Sequence, residues 1–88
     1  MKGAQMQGQI FKEGKYLKIK KNEFYEGIDG ARYIARSKFK AMGEGVKIAI
    51  IERQEMLYGR FVITHLTMSP EELKDILGIK KRGLLSID

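Results

Sequence analysis

Leu17 and Ile19 fall on one side of an alternating stretch whose other side carries Tyr16, Lys18 and Lys20. That is the period-two pattern of a half-buried strand. Residues 10–21 are therefore expected to be extended, with Glu13-Gly14 turning a short hairpin between Ile10-Phe11 and Tyr16-Leu17-Lys18-Ile19. Residues 22–30 contain two glycines and Asp29 and read as a loop. Further on, Ile48, Ala49, Ile50 and Ile51 are apolar on both faces, which predicts a central strand over residues 46–53. A second strand is expected over residues 60–67, around Phe61-Val62-Ile63-Thr64-His65-Leu66, joined to the first by a hairpin through residues 54–59.

Ser69-Pro70-Glu71-Glu72 is the clearest local signal in the chain. Serine at the N-cap, proline at the first helical position and glutamate three residues on make a capping box. Leu73, Ile76 and Leu77 supply the buried stripe of a helix over 70–78, and Gly78 ends it with Ile79 folding back.

Residues 30–42 satisfy two patterns. At 100° per residue Ala31, Ile34, Ala35, Phe39, Ala41 and Met42 share one arc, with Arg32, Arg36 and Lys40 in a ridge opposite, Asp29 at the start and Gly43 at the end. As a strand, Tyr33, Ala35, Ser37 and Phe39 oppose Arg32, Ile34, Arg36, Lys38 and Lys40, leaving Ile34 among charges. The helix fits better, with only Lys38 on its apolar arc and a stem long enough to reach water. The expected fold is a small α+β domain in β(β)-α-β-β-α order. An antiparallel sheet of three to four strands packs against helices near 30–42 and 70–78. Residues 1–9 read as a flexible lead-in, 10–79 as the domain and 80–88 as a basic and apolar tail.

Composition narrows the class. A hydrophobic fraction of 43 % beside 32 % charged residues suits a folded domain rather than a disordered chain. The absence of cysteine removes disulfides, thiolate metal sites and cysteine nucleophiles together, and fits a reducing, cytoplasmic setting. The longest aliphatic run, Ile48-Ala49-Ile50-Ile51, is far short of the roughly 20 residues of a membrane span.

Charge changes the picture more. The net charge is +6, and all of the excess lies in residues 1–40, where ten Lys/Arg face four acids; residues 41–88 hold seven of each. A field concentrated on one part of a small protein attracts polyanions, nucleic acid above all. Tyr16, Lys18 and Lys20 would offer a ring beside cations, and Arg32, Arg36 and Lys40, flanked by Tyr33, would track a phosphate backbone. Lys80, Lys81 and Arg82 form a second basic patch. Enzymatic chemistry has little support. His65 is the only histidine and sits in a predicted strand, the acids lack metal-ligand spacing, and no glycine-rich phosphate loop occurs. No cofactor or metal is expected.

Three short resemblances bear on the reading. Leu73, Leu77, Gly78, Ile79, Leu84 and Ile87 resemble the apolar frame of a helix-turn-helix, which would place Lys80, Lys81 and Arg82 at the start of a recognition helix. The likeness covers about fifteen residues and departs from the motif at Lys74 and Gly83. Gly27-Ile28-Asp29-Gly30 has the GxxG spacing of the KH fold, with a helix, two strands and a helix expected after it, but an acid stands where KH loops favour cations. With residues 31–42 extended instead, four strands and a terminal helix would resemble the single-strand-binding transcriptional coactivators.

The function expected is therefore a non-enzymatic nucleic-acid-binding protein, DNA and RNA both open, that neutralises phosphates and stacks some bases. The alternative is a protein-interaction module, an adaptor, an inhibitor or a homodimer. It would dock through Met56, Leu57 and Tyr58 at the hairpin tip and Leu84, Leu85 and Ile87 near the carboxyl end, all apolar side chains awkward on a lone monomer.

Overall fold

The structure is a computed structural model that describes residues 11–13 and 16–88, with side chains from residue 17 onward. The lead-in 1–9, Ile10, the Gly14 turn and the Tyr16 ring lie outside the described residues. Two sheets form. The smaller joins β1 (Phe11–Glu13), β2 (Tyr16–Ile19) and β8 (Leu84–Ile87) in the order β1-β2-β8, antiparallel and then parallel. The larger is an antiparallel meander of β3 (Phe24–Glu26), β4 (Arg32–Ala35), β6 (Lys47–Leu57) and β7 (Arg60–Met68), with β5 (Lys40–Ala41) continuing β4 along the same side of β6.

The helix expected over 30–42 is absent, and so is a sheet packed on two helices. Among the described residues α1 (Pro70–Ile76) is the only helix. The strand prevails because it satisfies both backbone edges at once: β4 lies between β3 and β6 and sends Tyr33 and Ala35 into the core. A helix of about thirteen residues would be marginal without an apolar surface to pack on. Ile34 is nevertheless only 8 % exposed, between Phe24 and Glu52 on the neighbouring strands. The loop expected over 22–30 instead carries β3.

Other local expectations hold. Leu17 and Ile19 are buried, and β1 pairs with β2 as a hairpin. Ser69 caps α1 with its hydroxyl accepting from Glu72 N–H while the Glu72 carboxylate accepts from Ser69 N–H, and Ile79 N–H folds back onto the Lys74 carbonyl. Residues 84–87 do not continue a helix-turn-helix: they form β8, parallel to β2, with Leu85 and Ile87 buried. No helix–two strands–helix order follows Gly27–Gly30, so the KH likeness fails as well.

One core lies between the layers. Leu17, Ile19, Leu85 and Ile87 of the small sheet and Leu73 of α1 meet Tyr25, Tyr33, Ala35, Ala49 and Ile51 from one face of the meander. The small sheet and α1 thus cover that face, and the opposite face has no layer on it among the described residues.

Candidate nucleic-acid interface

The open face is defined by register. Even-numbered residues of β4 and β6 share it with odd-numbered residues of β7: Arg32 stands opposite Gln54, which stands opposite Ile63, and Ile34, Glu52 and His65 form the next row. Arg36 N–H donates to the Ile50 carbonyl, and Lys40 pairs with Ile48 after two extra residues bulge from the strand. Arg32, Arg36 and Lys40 therefore do share one side of the protein, along extended backbone of β4, the residue after it and β5, and not as a helical ridge.

Two rings flank them. The Arg32 guanidinium carbon sits 4.7 Å from the centroid of the half-buried Phe24 ring, a cation–π contact. Phe61, on β7, is 64 % exposed. Ile50, Ile63 and Met56 are also exposed on this face, next to His65 and Thr67.

The cations on this face differ in availability. Arg36 Nε lies 3.1 Å from Glu52 Oε1, and Arg36 NH1 donates to Asn22 Oδ1 at 3.0 Å. Glu52, only 8 % exposed, also accepts from Gln54 Nε2 at 2.6 Å and has His65 Nε2 at 3.6 Å. The Gln54 and Arg36 donations hold its carboxyl below the usual carboxylate range. Arg36 is thus a partly neutralised cation, while Arg32 faces a ring and Lys40 is exposed on the two-residue β5.

A second polar cluster braces the core side. Tyr33 hydroxyl donates to Asp29 Oδ2 at 2.6 Å, Arg53 Nε donates to the Tyr33 oxygen at 3.0 Å, and Arg53 NH2 reaches Asp29 Oδ2 at 3.0 Å and Glu55 Oε1 at 2.8 Å. Partial burial opposes the charged form of Asp29, but donations from Tyr33, Ala31 N–H and Arg53 outweigh it and leave its carboxyl low. Burial, helped by the Asp29 contact, pushes the Tyr33 hydroxyl up. Tyr33 is therefore a core residue, not a flanking surface ring as expected.

The remaining basic residues lie elsewhere. Lys18 belongs to the small sheet and Lys20 directly follows its strand β2; that sheet covers the face of β4 opposite Arg32. Lys80, Lys81 and Arg82 sit on the connection from α1 to β8, on the helix side, where Lys74 Nζ donates to the carbonyls of Lys81 and Gly83. Lys18 and Lys20 therefore do not extend the Arg32, Arg36 and Lys40 surface as expected, and Lys80, Lys81 and Arg82 lie apart from both, as a separate patch. Of the apolar groups, Met56, Leu57 and Tyr58 are exposed at the hairpin tip and Leu84 is exposed, whereas Leu85 and Ile87 are core. Phe24, Gln54, Phe61 and His65 were not anticipated as surface partners. For Phe61 and His65 the signal is their alternation with Ile63; Phe24 and Gln54 have none until β4 pairs as a strand.

Among the described residues no three His, Asp or Glu side chains gather as a metal site, and no helix is long and apolar enough to cross a membrane. In comparison with known proteins, the chain matches no family model, no curated protein and no solved structure.

Proposed function

We propose that the helix-free face of the meander binds single-stranded nucleic acid without catalysing a reaction. The observation that carries the reading is the meeting, on one uncovered sheet face, of Arg32, Arg36 and Lys40 with the Phe24 and Phe61 rings. Unpaired bases stack on exposed rings while guanidinium and ammonium groups hold phosphates, and a broad sheet face suits a splayed strand better than a duplex groove.

The test is an anisotropy titration with single- and double-stranded DNA and RNA oligonucleotides at two salt concentrations. Single strands are expected to bind more tightly, with affinity falling as salt rises. Phe61→Ala should cost about 1–3 kcal/mol, and Arg32→Ala/Lys40→Ala should flatten the salt slope by about two ions. Absence of binding at low salt sinks the reading, and equal affinity for duplex removes its stacking part.

The exposed hairpin tip favours a second reading, a protein-docking role for Met56, Leu57 and Tyr58, the last 99 % exposed. Its carboxyl-terminal half is withdrawn, because Leu85 and Ile87 pack in the protein's own core. Retention of a partner after nuclease treatment, lost in Met56→Ser/Tyr58→Ser, would support it.

A further inference from the structure

Among the described residues β7 is an unprotected sheet edge. It pairs with β6 from Arg60 to Met68 without a skipped residue, and among the described residues no strand pairs with its other side. Tyr58 and Gly59 have φ of 51° and 77°, so they form a two-residue type I′ turn, and Leu57/Arg60 is its hydrogen-bonded closing pair. Residues of that parity direct their backbone groups to β6, leaving Phe61, Ile63, His65 and Thr67 to direct theirs outward.

Natural edges of this length are blunted by lysine, proline or a bulge. β7 has none: residues 61–70 contain no Asp, Glu, Lys or Arg, and proline first occurs at position 70. Apolar side chains flank the edge on both faces, Phe61 and Ile63 (54 % exposed) on one and Val62 on the other. In a chain of net charge +6, this is its longest uncharged run.

We propose that β7 pairs antiparallel with β7 of a second copy of this chain, about a two-fold axis through Thr64. Two arguments select a second copy. Past Arg60 the edge offers no Asp, Glu, Lys or Arg for a charged partner to recognise, so the segment that fits must itself lack those charges and be β-prone, and residues 61–68 of β7 are such a segment. Pairing about Thr64 also sets Phe61 opposite Thr67 and Ile63 opposite His65 of the second copy, so all four outward-facing residues find partners. A shift of the axis by one residue leaves some unpaired. The dimer does not rest on the nucleic-acid reading, although it would join the two open faces into one surface.

The test uses the absence of native cysteine. At the axis two copies of residue 64 form a non-hydrogen-bonded pair with Cα atoms about 4.5 Å apart, within disulfide reach. Thr64→Cys is expected to give a covalent dimer on mild oxidation, whereas Ser37→Cys, away from β7, is not. Sedimentation without nucleic acid should give twice the chain mass for the unaltered protein. Ile63→Lys and, separately, Thr67→Pro, which removes one outward N–H, should shift it to the monomer with the circular dichroism spectrum retained. A monomer at every concentration from micromolar to hundreds of micromolar, or a dimer unchanged in both edge variants, overturns the proposal. Oligonucleotide binding by a monomer would refute the dimer alone.

Discussion

Arg36, one residue past β4, reaches diagonally to Glu52 on β6 with Nε and Oε1 3.1 Å apart, on the face that no other layer covers among the described residues. The pair makes Arg36 a structural cation first and a phosphate contact second. Glu52→Gln releases Arg36 and removes a negative charge, so affinity for a single-stranded oligonucleotide should rise several-fold and its salt dependence steepen. The same variant should melt lower, since the buried position 52 exchanges a charge-assisted hydrogen bond from Arg36 for a neutral one. Anisotropy at two salt concentrations and a thermal melt read both effects.

Acid should destabilise the protein through two identifiable groups. Asp29 and Glu52 have folded-state pKa values below their ordinary ones. The folded protein therefore takes up those protons less readily than the unfolded chain. Stability from these groups is fully present above the ordinary carboxylate range and is lost as pH falls through the folded values. Melting temperatures followed from neutral pH to about pH 3 should fall for the native sequence. The acid limb should be shallower in Asp29→Asn and Glu52→Gln.

Gly27 is held free of a side chain by the Asp29–Tyr33 contact. A Cβ there would lie 2.5 Å from Tyr33 Cε1 and 2.8 Å from Asp29 Oδ1. Tyr33 is pinned in the core and Asp29 by Arg53, so neither yields cheaply. Gly27→Ala should cost about 1–3 kcal/mol in a denaturant titration. Tyr33→Phe, which removes only the hydroxyl, should cost less.

The turn at Tyr58-Gly59 carries a correctable strain. Type I′ turns need positive φ at both positions, which glycine takes freely and asparagine tolerates better than tyrosine. Tyr58→Asn should therefore raise stability on the order of 0.5 kcal/mol, measured as a higher melting temperature. If the hairpin tip docks another protein, the same change should weaken that capture.

The core position Ile51 sets the scale for these effects. It is fully buried on the central strand β6, between β4 and β7. Ile51→Ala should cost about 2–5 kcal/mol, a large part of the stability of so small a domain. Chemical denaturation with an unchanged m-value would confirm a loss confined to the folded state.

Where sequence and structure agree, the information is local. Alternation around Leu17 and Ile19 needs only the pleat, the Ser69–Glu72 box needs only one helical turn, and β6 and β7 are neighbours in sequence, although the connection expected over 54–59 narrows to Tyr58-Gly59 because residues 54–57 extend β6. The open face was half legible. Arg32, Arg36 and Lys40 were singled out for their charge and do fall together, but by strand register and a bulge rather than helical spacing. Phe24 was missed because its short strand looks like a loop until β4 exists to pair with it.

Residues 31–42 suit either element in isolation, since their small apolar side chains line a helical arc and an extended face almost equally well. Only the pairing partners on β3 and β6, together with a core that takes Tyr33 and Ala35 but has no place for a second helix, make the choice. The same holds for Leu84–Ile87, whose partner β2 lies near the other end of the chain. From its sequence alone this protein has a capped helix, a long hairpin and an amino-proximal excess of positive charge. Its tertiary structure decides which cations share a surface, because backbone pairing between distant segments, not periodicity within one, determines where each side chain points.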